Sequence, residues 1–185
     1  PWHPMADFTK IGMTGLPGSG KTETLIRIIS MLEEHERLVG GMITEPIVED
    51  NQRVGFSVVN WQTKEKGLLA HKHKEKDTKV GEYFLDMDVL ETIGVRAITQ
   101  AIDDADVIVI DEVGKMEVES VNFILSVKEA LECEKPLILT LHKKSRNPLL
   151  QDIRRRDDIR ILEVTPINRN LLPYKVVKLM LGEIM

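Results

Sequence analysis

Eight consecutive residues, Gly15-Leu16-Pro17-Gly18-Ser19-Gly20-Lys21-Thr22, fit the pattern G-x-x-x-x-G-K-[ST] of a phosphate-binding loop. Glycines let such a backbone curl until several N–H groups aim at one centre, and a helix starting there adds its positive end. In that setting Lys21 reaches the β- and γ-phosphates, and the Thr22 hydroxyl is placed to coordinate Mg²⁺. The second reactive group is Asp111-Glu112, two carboxylates directly behind Val107-Ile108-Val109-Ile110 and followed by Val113-Gly114. An aspartate there enters the Mg²⁺ shell. Glu112 can accept a proton from, or orient, a water in line with the γ-phosphate; its other reading is a solvated charge at a strand end. The catalytic candidates are therefore Lys21 and Glu112, joined by Lys115, which stands three residues on. Thr22 and Asp111 are the metal candidates. Gly15–Thr22 and Val107–Gly114 are the nucleotide-binding segments.

These groups act together only if the fold delivers them to one place. Phe8–Met13 reads as a strand and Glu23–Leu32 as a helix with Leu25, Ile28, Ile29 and Leu32 on one face. The β-branched run Val107–Ile110 is too short for a helix and reads as a parallel strand buried on both faces. Ligands of open α/β sheets bind beyond the carboxyl ends of the strands, so Asp111 and Glu112 should emerge beside the phosphate loop.

The rest of the chain supplies more of the same. Leu38–Val48 and Arg53–Trp61 read as a hairpin joined by the polar turn Glu49–Gln52, and His71–Lys79 as a polar loop. Glu82–Asp88 reads as a short strand. Leu90, Ile93, Ala97, Ile98 and Ala101 mark one helix face, and Val121, Ile124, Leu125 and Leu131 another. Pro136–Leu141 and Ile159–Val164 are further strands, and Tyr174–Ile184 a closing helix. The expected fold class is α/β: a P-loop, doubly wound, mainly parallel sheet with helices on both faces, with room for a strand between the two motif strands. All of residues 1–185 are read as one domain, with Pro1-Trp2-His3-Pro4 as extra residues ahead of a native start at Met5.

Composition narrows the function. A net charge of −5 with 4% aromatic residues speaks against a dedicated nucleic-acid binder. No stretch is long and apolar enough to span a bilayer, and no signal peptide is visible. The single cysteine, Cys133, allows no internal disulfide and reads as a buried or half-buried thiol. A cytoplasmic monomer is expected. His71 and His73 lack the further ligands of a metal site. No N-K-x-D segment occurs, so the usual guanine-reading device is missing.

With both motifs in place, the chain resembles the small P-loop nucleoside-triphosphatases of archaea and bacteria, which include a vertebrate cancer-related member and are related to nucleotide kinases. The segments that carry the resemblance are Lys10–Thr22, Val39–Glu45, Arg53–Val59, Val80–Tyr83 with Asp86 and Asp88, and Val107–Glu117. The run Gly114-Lys115-Met116-Glu117 behind Asp111-Glu112 is more specific than a general Walker-B strand. The resemblance implies slow, Mg²⁺-dependent hydrolysis of ATP, GTP and other nucleoside triphosphates with little base preference. The chain departs from the family at Pro46-Ile47-Val48, where Glu-Val-Arg is usual, at Gln52 before a single Arg53, and at Glu82, where lysine is common.

The cation that finishes the site is open on sequence grounds. Lys115 can point into the cleft or lie on the surface at a helix start; Lys143 and Arg146 follow a strand end on the ligand side. Arg154-Arg155-Arg156 resembles a kinase lid but reads better as a solvated helix face balanced by Asp152, Asp157 and Asp158. With no finger assigned, slow turnover is expected. Two alternatives accompany the triphosphatase reading: a nucleotide or small-molecule kinase, with Glu112 activating a hydroxyl, and a nucleotide-dependent switch.

Overall fold

The computed structural model describes residues 8–182; Pro1–Pro4, Met5 and the end of the expected closing helix lie outside them. Nine strands form one sheet in the order β5-β6-β4-β3-β2-β7-β8-β1-β9. They are β1 (Lys10–Gly15), β2 (Val39–Glu49), β3 (Gln52–Asn60), β4 (Lys66–His71), β5 (Thr78–Val80), β6 (Tyr83–Leu85), β7 (Val107–Val113), β8 (Leu137–His142) and β9 (Arg160–Glu163). From β2 to β9 every pairing is parallel. From β2 outward to β5 every pairing is antiparallel. The sheet is thus half doubly wound and half meander, and the expected inserted strand is β8, which follows Asp111 in the chain.

Helices cover both faces. On one, α1 (Lys21–Glu34) and α6 (Leu172–Met180) bury Leu25, Ile28, Ile29, Leu32, Val176 and Val177 against Ile11, Met13 and Val109. On the other, α3 (Arg96–Asp104), α4 (Val121–Glu132) and α5 (Pro148–Arg155) bury Ile98, Phe123, Val127 and Ile153 against Ile108, Ile110 and Leu139. The strands between, apolar on both sides, are the buried parallel strands that their β-branched runs predict.

Several expectations shift. β1 begins at Lys10, not Phe8, because its pairing runs from Lys10 opposite Leu137 to Gly15 opposite His142. The polar turn after β2 shrinks to Asp50-Asn51, with φ of 52° and 63°; positive φ at both central residues matches the twist of the strands. The polar run 71–79 is no single loop: His71 ends β4 and Thr78-Lys79 open β5. His71 is buried, and its Nδ1 accepts the His73 N–H at 3.0 Å, so it closes a turn. The strand expected over Glu82–Asp88 stops at Leu85, where Asp86 caps the short helix α2 (Met87–Val89) by accepting the Val89 N–H at 3.0 Å. A π-helical stretch, Leu90–Val95, links α2 to α3. In α4 the buried face is Phe123, Val127, Ala130 and Leu131, whereas Val121 and Leu125 point outward. Cys133 caps that helix, half-buried.

Candidate active site

β1 ends at Gly15 and α1 starts at Lys21, so the intervening turn carries the whole phosphate loop. Gly20 caps α1 with φ 98°, a left-handed conformation that a side chain resists. Ser19 N–H donates to the Leu16 carbonyl at 3.0 Å, which closes the turn. The hydroxyls of Thr14 and Ser19 are buried without a hydrogen-bond partner among the described residues. Buried polar atoms are rarely left unpaired, and oxygens of a bound phosphate chain would satisfy the one in the loop.

β7 brings its acids to the same place. Ile110 pairs with Leu139 and Val113 with Leu141, so Asp111 and Glu112 together face Thr140 in a bulge. In a regular strand neighbouring side chains point to opposite faces; a bulge re-aims one of them. Lys21 Nζ lies 2.8 Å from a Glu112 oxygen and 3.1 Å from the Gly15 carbonyl. The Thr22 hydroxyl donates to Asp111 at 3.0 Å. Lys21 with Glu112, and Thr22 with Asp111, are therefore in contact between the start of α1 and the end of β7.

Asp111 is 1% exposed. Burial pushes its pKa up to about 6, despite hydrogen bonds donated by the hydroxyls of Thr140 at 2.6 Å and Thr22, and by the Thr44 N–H at 3.4 Å. Thr140 and Thr44 escaped the sequence reading. Their signal was there: Thr140 is a hydroxyl inside the apolar strand Leu137–Leu141, and Thr44 directly follows the apolar run Val39–Ile43. Glu117 was also missed as a residue in its own right. It accepts the Gly114 N–H at 3.1 Å and so folds the turn after β7, and burial followed by the nearby Glu112 charge pushes its pKa up to about 8.

A cleft of about 1010 Å³ opens over these groups. Its walls include Gly15, Pro17, Gly18, Gly20, Lys21, Thr22, Glu112 and Lys115, with His142, Lys143 and Lys144 from the end of β8. Leu16 is exposed outside it, and Ser19 lies buried beneath the loop. Val107, Ile108, Val109 and Ile110, proposed as nucleotide-binding, are core residues of β7 and do not line the cleft; neither do Val113 and Gly114. That part of the reading is corrected: the run builds the strand that carries the acids. Among the cations, Lys115 is exposed and lines the cleft, while Lys143 is held by Glu163 at 2.6 Å. Arg146 is not in the cleft wall. His142, lowered in pKa by burial, accepts the Lys144 N–H at Nδ1.

The arginine run is no lid. Arg154 donates to the backbone carbonyls of His142, Lys143 and Ser145 and pins the loop after β8. Arg156 bridges Glu132 and Asp158. A further arginine does stand over the phosphate loop. Arg169, in the turn after β9, has its Cδ 3.4 Å from where a Cβ on Gly20 would sit.

The geometry agrees with what the chain is similar to. A family model described as NTPase matches residues 10–177. The chain is 38% identical over 174 residues to the nucleoside-triphosphatase THEP1 of Thermoplasma acidophilum, covering 94% of this chain and 96% of that one. It is 37% identical to the nucleoside-triphosphatase THEP1 of Thermotoga maritima, covering 92% and 95%. Two solved structures superpose well. THEP1 from Aquifex aeolicus does so with TM-score 0.82 at 27% identity, over 93% of this chain and 99% of that one. A human cancer-related nucleoside triphosphatase does so with TM-score 0.79 at 29% identity, over 96% and 100%. No described helix is long and apolar enough to cross a membrane. By its sequence, its P-loop sheet and these similarities, the chain belongs to the NTPase family.

Proposed function

We propose that this chain is an Mg²⁺-dependent nucleoside triphosphatase that releases the γ-phosphate of ATP, GTP and other nucleoside triphosphates slowly, acting as a cytoplasmic monomer. The contact that carries the reading is Lys21 on Glu112 at 2.8 Å, beside Thr22 on Asp111 at 3.0 Å. An incoming triphosphate competes for the Lys21 ammonium. As Lys21 turns to the phosphates, Glu112 is released to orient a water in line with the γ-phosphate and take its proton.

The oxygen set of Thr22 and Asp111 suits a hard cation that keeps waters and phosphate oxygens as its other ligands. Thr22 and Asp111 would hold Mg²⁺ there, and the ion would supply positive charge to neutralise the phosphates as they react. Lys115, which lines the cleft close behind Glu112, is the cation assigned to help at the γ-phosphate. Broad base specificity fits Arg169: its planar guanidinium can stack on any base and offers no acceptor for reading one.

Phosphate release from ATP, GTP, CTP and UTP, measured with Mg²⁺ and with chelator, tests the reading. Release is expected with all four, lost on chelation and lost in Lys21→Ala. Release no greater than that of Lys21→Ala would end it.

A further inference from the structure

The cations along the cleft are not equally engaged. Lys21 is paired with Glu112 and Lys143 with Glu163, while Lys72 pairs with Glu82 and lies over the Tyr83 ring. Arg53 differs. It is exposed, it lines the cleft, and no carboxylate pairs with it among the described residues. Its guanidinium lies 5.4 Å from the centroid of the Phe56 ring, which is backed in turn by Tyr83 at 5.3 Å between centroids. A ring face holds a cation more loosely than a carboxylate does, so a polyphosphate entering the cleft can draw this one off.

Strand register brings that guanidinium toward the reacting groups. Thr44, whose N–H reaches Asp111, is two residues from Pro46 on β2, and Pro46 stands opposite Phe56 on β3. At ~3.3 Å per residue, the ring is therefore only about 7 Å further along the sheet than Thr44. The backbone of Arg53 lies further out, opposite Val48, so the side chain leans back along the sheet toward the acids. Pro46, Arg53 and Phe56 line the same cleft as Lys21 and Glu112. Arg169 stands elsewhere, over Gly20 at the start of α1.

We propose that Arg53 is a catalytic residue, an arginine finger that the β2–β3 hairpin supplies in cis to the γ-phosphoryl oxygens. As the water oxygen bonds to Pγ, the Pγ–O bond to the β-phosphate breaks and its electron pair leaves with the nucleoside diphosphate. The water proton goes to Glu112. Negative charge meanwhile builds on the leaving oxygen and the oxygens in transfer. A guanidinium meets two such oxygens with parallel N–H donors, which the point charge of a lysine does not. Lys115 acts from the side of the acids and Arg53 from the meander wall. The inference rests on hydrolysis at the site described above and adds to it a group that acts in the transition state.

Single-turnover phosphate release by the full chain, with Mg²⁺ and saturating ATP, tests it in Arg53→Ala, Arg53→Gln and Arg53→Lys. The rate is expected to fall ~10²–10³-fold in Arg53→Ala and Arg53→Gln, the worth of one preorganised donor, with ATP affinity changed less than about threefold. Arg53→Lys should stay at least about tenfold below wild type. Calorimetry should find ADP bound as in wild type, whereas ADP with aluminium fluoride, a mimic of the group in transfer, loses affinity roughly as the rate falls. Arg53→Gln keeps part of the stem against Phe56, so its melting temperature should match wild type even where Arg53→Ala loosens the hairpin. An Arg53→Gln rate within about threefold of wild type, an Arg53→Lys rate equal to wild type, or equal losses for ADP and its aluminium fluoride complex overturns the inference and leaves hydrolysis standing. Wild-type release no greater than that of Lys21→Ala ends both.

Discussion

The two halves of the sheet do different work with different physics. From β2 to β9 the strands are parallel, with β7, β8 and β1 covered on both faces, and they end together at one edge, where the phosphate loop and the Asp111–Glu112 bulge meet. From β3 to β5 they are antiparallel and short toward the edge, and they contribute the aromatic and charged wall of the cleft. The parallel half is built to hold a fixed set of charges, since the strand ends cannot move without opening a core. The meander half is joined by tight turns and carries more exposed side chains. The phosphate loop and the acids thus belong to one half, and the aromatic and charged far wall of the cleft to the other.

That division can be broken first at Glu112. Glu112→Gln should cut phosphate release by ~10²–10⁴, the usual worth of a general base, while nucleotide affinity is kept or raised as Lys21 loses its partner. Single-turnover rates alongside calorimetric binding would separate the two; unchanged turnover would show that water is oriented by another group. Thr140→Val comes next. It leaves the buried Asp111 short of its 2.6 Å donor and should cost about 1–3 kcal/mol of stability, with a weaker dependence of rate on Mg²⁺. An equilibrium denaturation curve and an Mg²⁺ titration would measure both.

A pH test separates the turn after β7 from the rest. Glu117 is raised from 4.5 to about 8 by burial, so the native state holds a proton that the unfolded chain gives up. Its contribution is complete below the unfolded value and is lost as pH rises through about 8. Melting temperature should therefore fall from about pH 4.5 to about pH 8 and level off above, and Glu117→Gln, which keeps an acceptor for the Gly114 N–H, should flatten that fall. A parallel decline in the variant would place the cause elsewhere. The smallest effect belongs to the meander half. Asn51→Gly, at φ 63°, should raise stability by about 0.5 kcal/mol or less with no change in hydrolysis, because glycine suits the second position of this turn.

Much of the parallel half was legible in the sequence. Val107–Ile110 and Leu137–Leu141 are buried on both faces, so their apolar runs report the strand directly, and the loop pattern at Gly15–Thr22 sits between strand and helix as its chemistry demands. The meander was harder to read. Lys66–His71 is only half apolar, and Thr78–Val80 is three residues long inside a charged stretch, so neither carries a usable period. The face of α4 was misread because Val121 and Leu125 are apolar yet exposed; periodicity alone does not tell a core face from an uncovered one.

Local order in the chain settles which groups can bind phosphate, because backbone curvature, charge and the start of a helix are all encoded within a dozen residues of Gly15. It settles equally that Asp111 and Glu112 leave the end of a buried strand. That Glu112 meets Lys21 while buried Asp111 meets Thr22 depends on a two-against-one pairing with β8, and pairing is a long-range choice that no short segment contains. The threonines that hold Asp111 and the arginine over Gly20 have the same origin. Each lies far along the chain from the group it serves, and packing of the sheet and its helices brings them within a few ångströms.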